Sequence, residues 1–227
     1  SGSNYTQVHF KTGQQIYFIQ ESSGDEDKLI TDRVFRDPTA WYHIVAVWDI
    51  AASETDRMIL YVNGVRETSF ASEVYPSLNK DSFVGITSDP LGIGASEYTG
   101  SFINEFDGVM SHVQYADGYA YAASDFGEFD STSGIWKIKT SALANYGTNG
   151  FYMKMEDRTN LDLDSSPNGL TMTTSGTITG TYDNPDNNFS TLCPLYMPMS
   201  SEPTLSNGNN VVVTQNASGK YFGSASS

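Results

Sequence analysis

Asn63-Gly64 follows the alternating run Arg57-Met58-Ile59-Leu60-Tyr61-Val62 directly and precedes a second candidate strand over residues 65–70. Asn-Gly supplies two residues that accept positive φ, which a two-residue turn between antiparallel strands requires. In an extended run, Met58, Leu60 and Val62 share one face, and Ile59 and Tyr61 share the other. A hairpin of this kind is not stable alone and must bury a face against further strands.

The neighbouring sequence offers those strands. Residues 5–11 and 15–20 flank Thr12-Gly13-Gln14, and a polar turn over 22–27 separates them from residues 28–34. In Trp41-Tyr42-His43-Ile44-Val45-Ala46-Val47-Trp48-Asp49, Trp41, His43, Val45 and Val47 alternate with Tyr42, Ile44, Ala46 and Trp48. Both faces are largely apolar, so this run reads as a central strand covered on both sides, with Trp41 and Leu60 buried between two sheets. Residues 82–86 and 109–115 complete the set. No stretch keeps apolar residues at i, i+3, i+4 and i+7 for three turns, so helix is a minor component.

Beyond residue 115 the character changes. Residues 119–126 suit one helical turn with Ser124 or Asp125 as cap. Gly, Asn, Asp, Ser and Pro then dominate as far as residue 203, with anchors such as Phe126, Trp136, Phe151, Tyr152, Phe189, Leu192 and Leu195 at intervals. Charge is sparse there, so an extended strap docked on a pre-existing surface is expected rather than charge-driven disorder. Residues 204–214 read as the opening of a further β unit. The expected organisation is a sandwich over 1–115, a loop-rich strap over 116–203, and the start of a second β-sandwich over 204–227.

Charge and cysteine content narrow the function. The 227 residues carry a net charge of −15, which opposes phosphate-tracking nucleic-acid binding and docking on an anionic membrane. Cys193 is the one cysteine, so neither an intrachain disulfide framework nor a Cys-rich zinc site can form. No run of about 18 apolar residues reads as a membrane-spanning helix. The first residues, SGSNYTQVHF, lack the basic and apolar regions of a signal peptide.

Three groups of residues resemble known families. The strand beginning at Trp41, with His43 and Ile44 in the W-x-H-[IV] places, together with Leu60-Tyr61-Val62-Asn63-Gly64, resembles the laminin-G-like and concanavalin-like lectin pattern. Phe106-Asp107-Gly108-Val109-Met110-Ser111-His112-Val113 is similar to the closing strand of that sandwich. Asp125-Phe126-Gly127-Glu128-Phe129-Asp130, Ser133-Gly134-Ile135-Trp136-Lys137, Tyr146-Gly147-Thr148-Asn149-Gly150-Phe151-Tyr152 and Asp183-Asn184-Pro185-Asp186-Asn187-Asn188-Phe189 resemble, in order, a segment of large structural proteins of tailed phages, particularly marine ones. Residues 204–208 and 219–227 resemble the start of a SPRY-like sandwich. The resemblance implies an all-β, antiparallel concanavalin-like jelly roll, and a chain that is a piece of a longer polypeptide lacking its first strands.

Enzymes on this fold require two facing carboxylates, about 5–5.5 Å apart for retention, commonly from E-x-D-x-x-E on one strand. Glu105-Phe106-Asp107 is followed by Met110 where the second Glu belongs, and Glu128-Phe129-Asp130 by Ser133. No catalytic residue is assigned. His9, His43 and His112 lack nearby Glu or Cys partners in sequence, and His43 and His112 occupy core-like strand positions. The acidic turns at Asp25-Glu26-Asp27, at Asp49 and Asp56, and at Asp162 and Asp164 invite a structural calcium ion. No motif gathers their oxygens, so no metal site and no cofactor are assigned. Tyr75, Tyr98, Tyr119 and Tyr121 lie in or beside loops, where they suit stacking on sugars or packing on neighbouring subunits. The binding residues are otherwise unknown.

The resulting expectation is a non-enzymatic virion protein: a fibre or a tail- or head-associated decoration whose lectin-like sandwich serves assembly or adhesion to host-surface glycan. Its expected partners are other virion subunits in a homo-oligomer such as a trimer, with no nucleic acid and no membrane insertion. The alternatives are a carbohydrate-binding module of a secreted protein and a polysaccharide-degrading tail enzyme.

Overall fold

The structure is a computed structural model that describes residues 4–11, 13–85, 91–98 and 101–185, and the backbone of two short strands beyond them. Three strands open it: β1 (Tyr5–Phe10), β2 (Ile16–Ser22) and β3 (Asp25–Thr31). Next come β4 (Ile44–Trp48), β5 (Met58–Val62), β6 (Val65–Arg66) and β7 (Phe70–Val74). One sheet has the order β1-β2-β3-β7 and the other β4-β5-β6. Every ladder between the strands is antiparallel. The all-β sandwich expected from the alternating strands is the fold observed. Among the described residues, helix is confined to a single 3-10 turn, Glu54–Asp56, and one four-residue turn, α1 (Ala123–Phe126).

Asn63 and Gly64 carry φ of 49° and 77° and close the β5–β6 turn with Val62 opposite Val65. The β2–β3 turn is shorter than the polar run suggests. Ser23 and Gly24 take φ of 53° and 99°, and the flanking acidic residues pair as strand, Ser22 opposite Asp25. Turn formers at strand ends are equally at home in the ladder when only two residues need positive φ.

The period of two places the core. Ile16, Phe18 and Leu29 from the first sheet, with Phe35, meet Met58, Leu60 and Val62 from the second, all buried. Each such side chain contributes about 1.5–3 kcal/mol when fully buried. Ile44 and Trp48 join this core, while Val45 and Val47, on the opposite face of β4, pack beneath Ala123, Phe126 and Trp136. Both faces of β4 are therefore covered, as its double apolar pattern requires. Leu60 is fully buried. Trp41 is not: it lies before the strand, half-buried, and its indole Nε1 donates to Asp183 Oδ1 at 3.3 Å. Tyr42 takes the core side instead, edge-on to Phe35.

Several strands differ from expectation. The return strand after Gly64 ends at Arg66, because the chain crosses to pair as β7 with β3 in the other sheet. Residues 82–85 are not a strand: the Phe83 N–H donates to the Thr6 hydroxyl and the Gln20 side-chain oxygen rather than to a ladder; Ile86 lies outside the described residues. An unexpected hairpin, β8 (Ser96–Tyr98) and β9 (Ser101–Ile103), precedes β10 (Val113–Tyr115). Strand β10 is short because His112 has φ of 55°, which interrupts the extended run.

Residues 116–185 fold back on the sandwich. After α1 come β11 (Gly127–Phe129), β12 (Trp136–Ile138) and β13 (Phe151–Met153), and β13 pairs with β10. Asp125 rather than Ser124 serves the helical turn, its carboxylate accepting the Ala122 N–H at 2.8 Å. Leu143, Tyr146 and Tyr152 form a third buried cluster beside Tyr121 and Phe126. Phe189, Leu192 and Leu195 lie outside the described residues. Strands β14 (Thr204–Ser206) and β15 (Val211–Val213) pair with each other.

Candidate functional site

The segment leaving β10 and the loop leading into β13 are brought together by main-chain contact, Asp117 N donating to Tyr146 O at 2.9 Å. On this junction the Tyr119 and Tyr121 rings stack, 5.8 Å between centroids and 23° between planes. Tyr119 is 47% exposed. Asn145 fixes the pair: its Nδ2 donates to the Tyr119 hydroxyl at 2.7 Å, and its main-chain N–H to the Tyr121 hydroxyl at 3.2 Å. Beside them the Asp117 carboxylate accepts from Asn149 Nδ2 at 2.8 Å. Burial, and then the Asp117 charge, push the Tyr115 phenol up to about 12. An exposed aromatic platform flanked by a carboxylate and two amides has the form of a sugar site, stacking below and hydrogen bonds at the edge.

Of the loop tyrosines, the platform unites Tyr119 and Tyr121. Tyr75 is elsewhere, packed on the sandwich core with its hydroxyl donating to Glu73 at 3.0 Å. The Tyr98 side chain lies outside the described residues. Sequence reading did not find Asp117, Asn145 or Asn149. The turn-rich Asn145-Tyr146-Gly147-Thr148-Asn149-Gly150 was their only signal, and it marks a turn without saying what the turn faces.

The platform borders an open cleft of about 3540 Å³ between β1, β4 and the chain from 102 to 121. His43 and His112 both line it. Burial, then the charge of His112, depress His43 to about 4, so His43 is neutral at pH 7. Its Nδ1 accepts from the Trp136 indole at 3.0 Å, and the two rings stack. His112 Nδ1 lies 2.6 Å from the Ser111 hydroxyl. His9 stacks on Tyr17.

The carboxylates do not converge. Glu105 and Asp107 stand exposed in a loop, not on one strand face. Glu128 points to solvent from β11, with Lys139 at 3.9 Å. Asp130 closes the following turn: hydrogen bonds from Lys137, then Ser133 and Thr132, hold its carboxyl well below the usual range. The acidic turns are likewise occupied: Asp27 by Lys80 at 2.6 Å, Asp56 by Arg66 at 2.7 Å, and Asp164 by the N–H groups of Tyr152, Ser166 and Leu170. Among the described residues no group of three or more His, Cys, Asp or Glu is placed to hold a metal ion, and no helix is long and apolar enough to cross a membrane.

The family model described as the Concanavalin A-like lectin/glucanases superfamily matches residues 1–122. The chain belongs to this superfamily. The match ends at α1, so it takes in the sandwich, β10 and the tyrosine platform. No curated protein and no solved structure matches the chain. The two halves of the superfamily's description, lectin and glucanase, separate on the carboxylates: a lectin site needs rings and hydrogen bonds, and a glucanase site two facing acids.

Proposed function

We propose that this superfamily member is a non-enzymatic structural protein of a tailed-phage virion, a fibre or a tail- or head-associated decoration, whose sandwich binds host-surface glycan. The Tyr119–Tyr121 platform with its Asn145 and Asp117 flank is the observation that carries the binding role. Tyr119 presents a ring face for a pyranose, and the amide and carboxylate supply the directional bonds that choose among sugars. Catalysis is disfavoured because Asp130 is held ionised by Lys137 and its turn, while Met110 and Ser133 occupy the acid positions of both near-motifs. The virion role rests on the resemblance of residues 125–189 to tailed-phage structural proteins. A homo-oligomer such as a trimer would cover Phe129 and Ile135, which are left 53% and 63% exposed on the β11–β12 hairpin. The acidic chain has no use for nucleic acid, and the site takes no cofactor.

Immunogold labelling of purified phage particles with antibody against this chain tests the virion role. Gold at one fixed position on intact particles is the expected result. Labelling absent from particles but present in the supernatant of uninfected cells indicates the secreted module instead.

A further inference from the structure

Each of two strands lining the cleft has an edge without a ladder partner among the described residues. Among the described residues, β4 pairs with β5 alone and β10 with β13 alone. The bonds Asn63 N to His43 O (2.8 Å) and Asp49 N to Arg57 O (2.9 Å) fix the phase of the β4–β5 ladder. Hydrogen-bonded pairs alternate along an antiparallel ladder. Val45 and Val47 therefore address β5, and the N–H and C=O groups of Ile44, Ala46 and Trp48 leave from the opposite edge. On the other wall, the Tyr152 N–H donates to Asp164 Oδ1 at 2.9 Å and its carbonyl accepts from Ser165 N at 2.7 Å, so Tyr152 turns away from β10. Val113 and Tyr115 therefore address β13, and the main chain of Gln114 leaves from the opposite edge.

Ile44, Ala46, Trp48 and Gln114 all line the same cleft. His43 and His112, their neighbours, sit close enough across it for one charge to act on the other. At about 3540 Å³ the cleft exceeds the roughly 300–1,000 Å³ of a small-molecule pocket. A sugar ring leaves a row of main-chain donors and acceptors at strand spacing unmet. An extended peptide meets them all, as in strand addition.

We infer that the cleft is an acceptor for one extended β-strand of a partner polypeptide, with apolar side chains at alternate positions and lysine or arginine between them. The apolar positions are called for by exposed Phe10, Ile103 and Phe106 on the lining. The basic ones are called for by Asp37, Asp49, Glu105, Asp107 and Asp117 on the same walls. Charge also disfavours a second copy as occupant, since the chain itself carries −15. This inference shares Asp117 and one cleft with the proposed glycan site but does not rest on sugar binding.

The probe is a nine-residue peptide alternating valine and lysine, acetylated and amidated, against two controls. One control carries N-methyl groups on alternate amides, and the other has the same composition in two blocks. Amide hydrogen exchange of the intact chain is followed by NMR. With the alternating peptide, exchange at Ala46 and Gln114 slows at least tenfold, while both controls bind at least tenfold more weakly. Binding without slowed exchange at these amides overturns the inference, as does equal binding by the N-methylated or block peptide. Protection that appears on raising the protein concentration alone also overturns it and assigns the edge to a second copy.

Discussion

Gly64 does more than close a turn. A Cβ added there would lie 2.1–2.6 Å from three carbons of the Trp136 ring, and Gly64 itself has φ of 77°. Trp136 cannot step aside, because a Cβ at Gly127 would meet the same ring at 2.4 Å, Phe129 packs edge-on to it and its indole N–H is bonded to His43. Gly64→Ala therefore combines two costs: about 1–2 kcal/mol for a side chain in left-handed backbone and about 1–3 kcal/mol for overpacking against a held ring. Gly24 supplies the control. It closes the β2–β3 turn with φ of 99° and has nothing within 4 Å of its Cβ position, so Gly24→Ala carries only the first cost. Urea unfolding followed by tryptophan fluorescence should show Gly64→Ala less stable than Gly24→Ala by about 1–3 kcal/mol, a midpoint gap of about 0.5–1.5 M at an m-value near 2 kcal/mol/M. In a Trp136→Ala background the gap should close. Equal losses for the two glycine variants would refute the wedge of Trp136 between β6 and β11.

Other consequences concern charge. The His43 imidazole should titrate near 4 rather than 6.5 in an NMR titration, with the Trp136 indole proton shifting in step. Because the folded value lies below the unfolded one, the unfolded chain takes up the proton first, and stability falls as pH drops from about 6.5 toward 4; a His43 midpoint near 6.5 contradicts this. Burial drives the Asp164 carboxyl up, but the bonds from Tyr152, Ser166 and Leu170 outweigh it and leave it below 3.8. Its contribution is present above 3.8 and lost as pH falls through the folded value, so Asp164→Asn should lower stability at pH 7 by about 1–3 kcal/mol per unsatisfied group and converge with the parent in acid. A constant difference across pH would show that the carboxylate charge is not what holds residues 162–170.

The sandwich was legible where short-range pattern decides structure. Asn63-Gly64 marked its hairpin, and the double apolar pattern of residues 41–49 marked a strand covered on both faces, of which residues 44–48 form the ladder. What local pattern does not carry is the partner. Strand β13 joins β10 across 35 intervening residues, and the run after Arg66 changes sheets without any break in its alternation. The same limit applies to the site. Tyr119 and Tyr121 stood out as loop aromatics, whereas Asn145 and Asn149 became site residues only when their turn closed against Asp117. Trp41 was misplaced because a strand's first aromatic can turn either to the core or to a polar partner, here Asp183, 142 positions away.

Calorimetric titration of purified host-surface polysaccharide into the intact chain, with reducing ends assayed on the same samples, reaches the central claim most directly. The account predicts saturable binding that weakens at least tenfold in Tyr119→Ala, roughly 1.4 kcal/mol or more, with no increase in reducing ends. Binding unaffected by Tyr119→Ala, or reducing ends that accumulate and disappear in Glu128→Gln or Glu105→Gln, would contradict it.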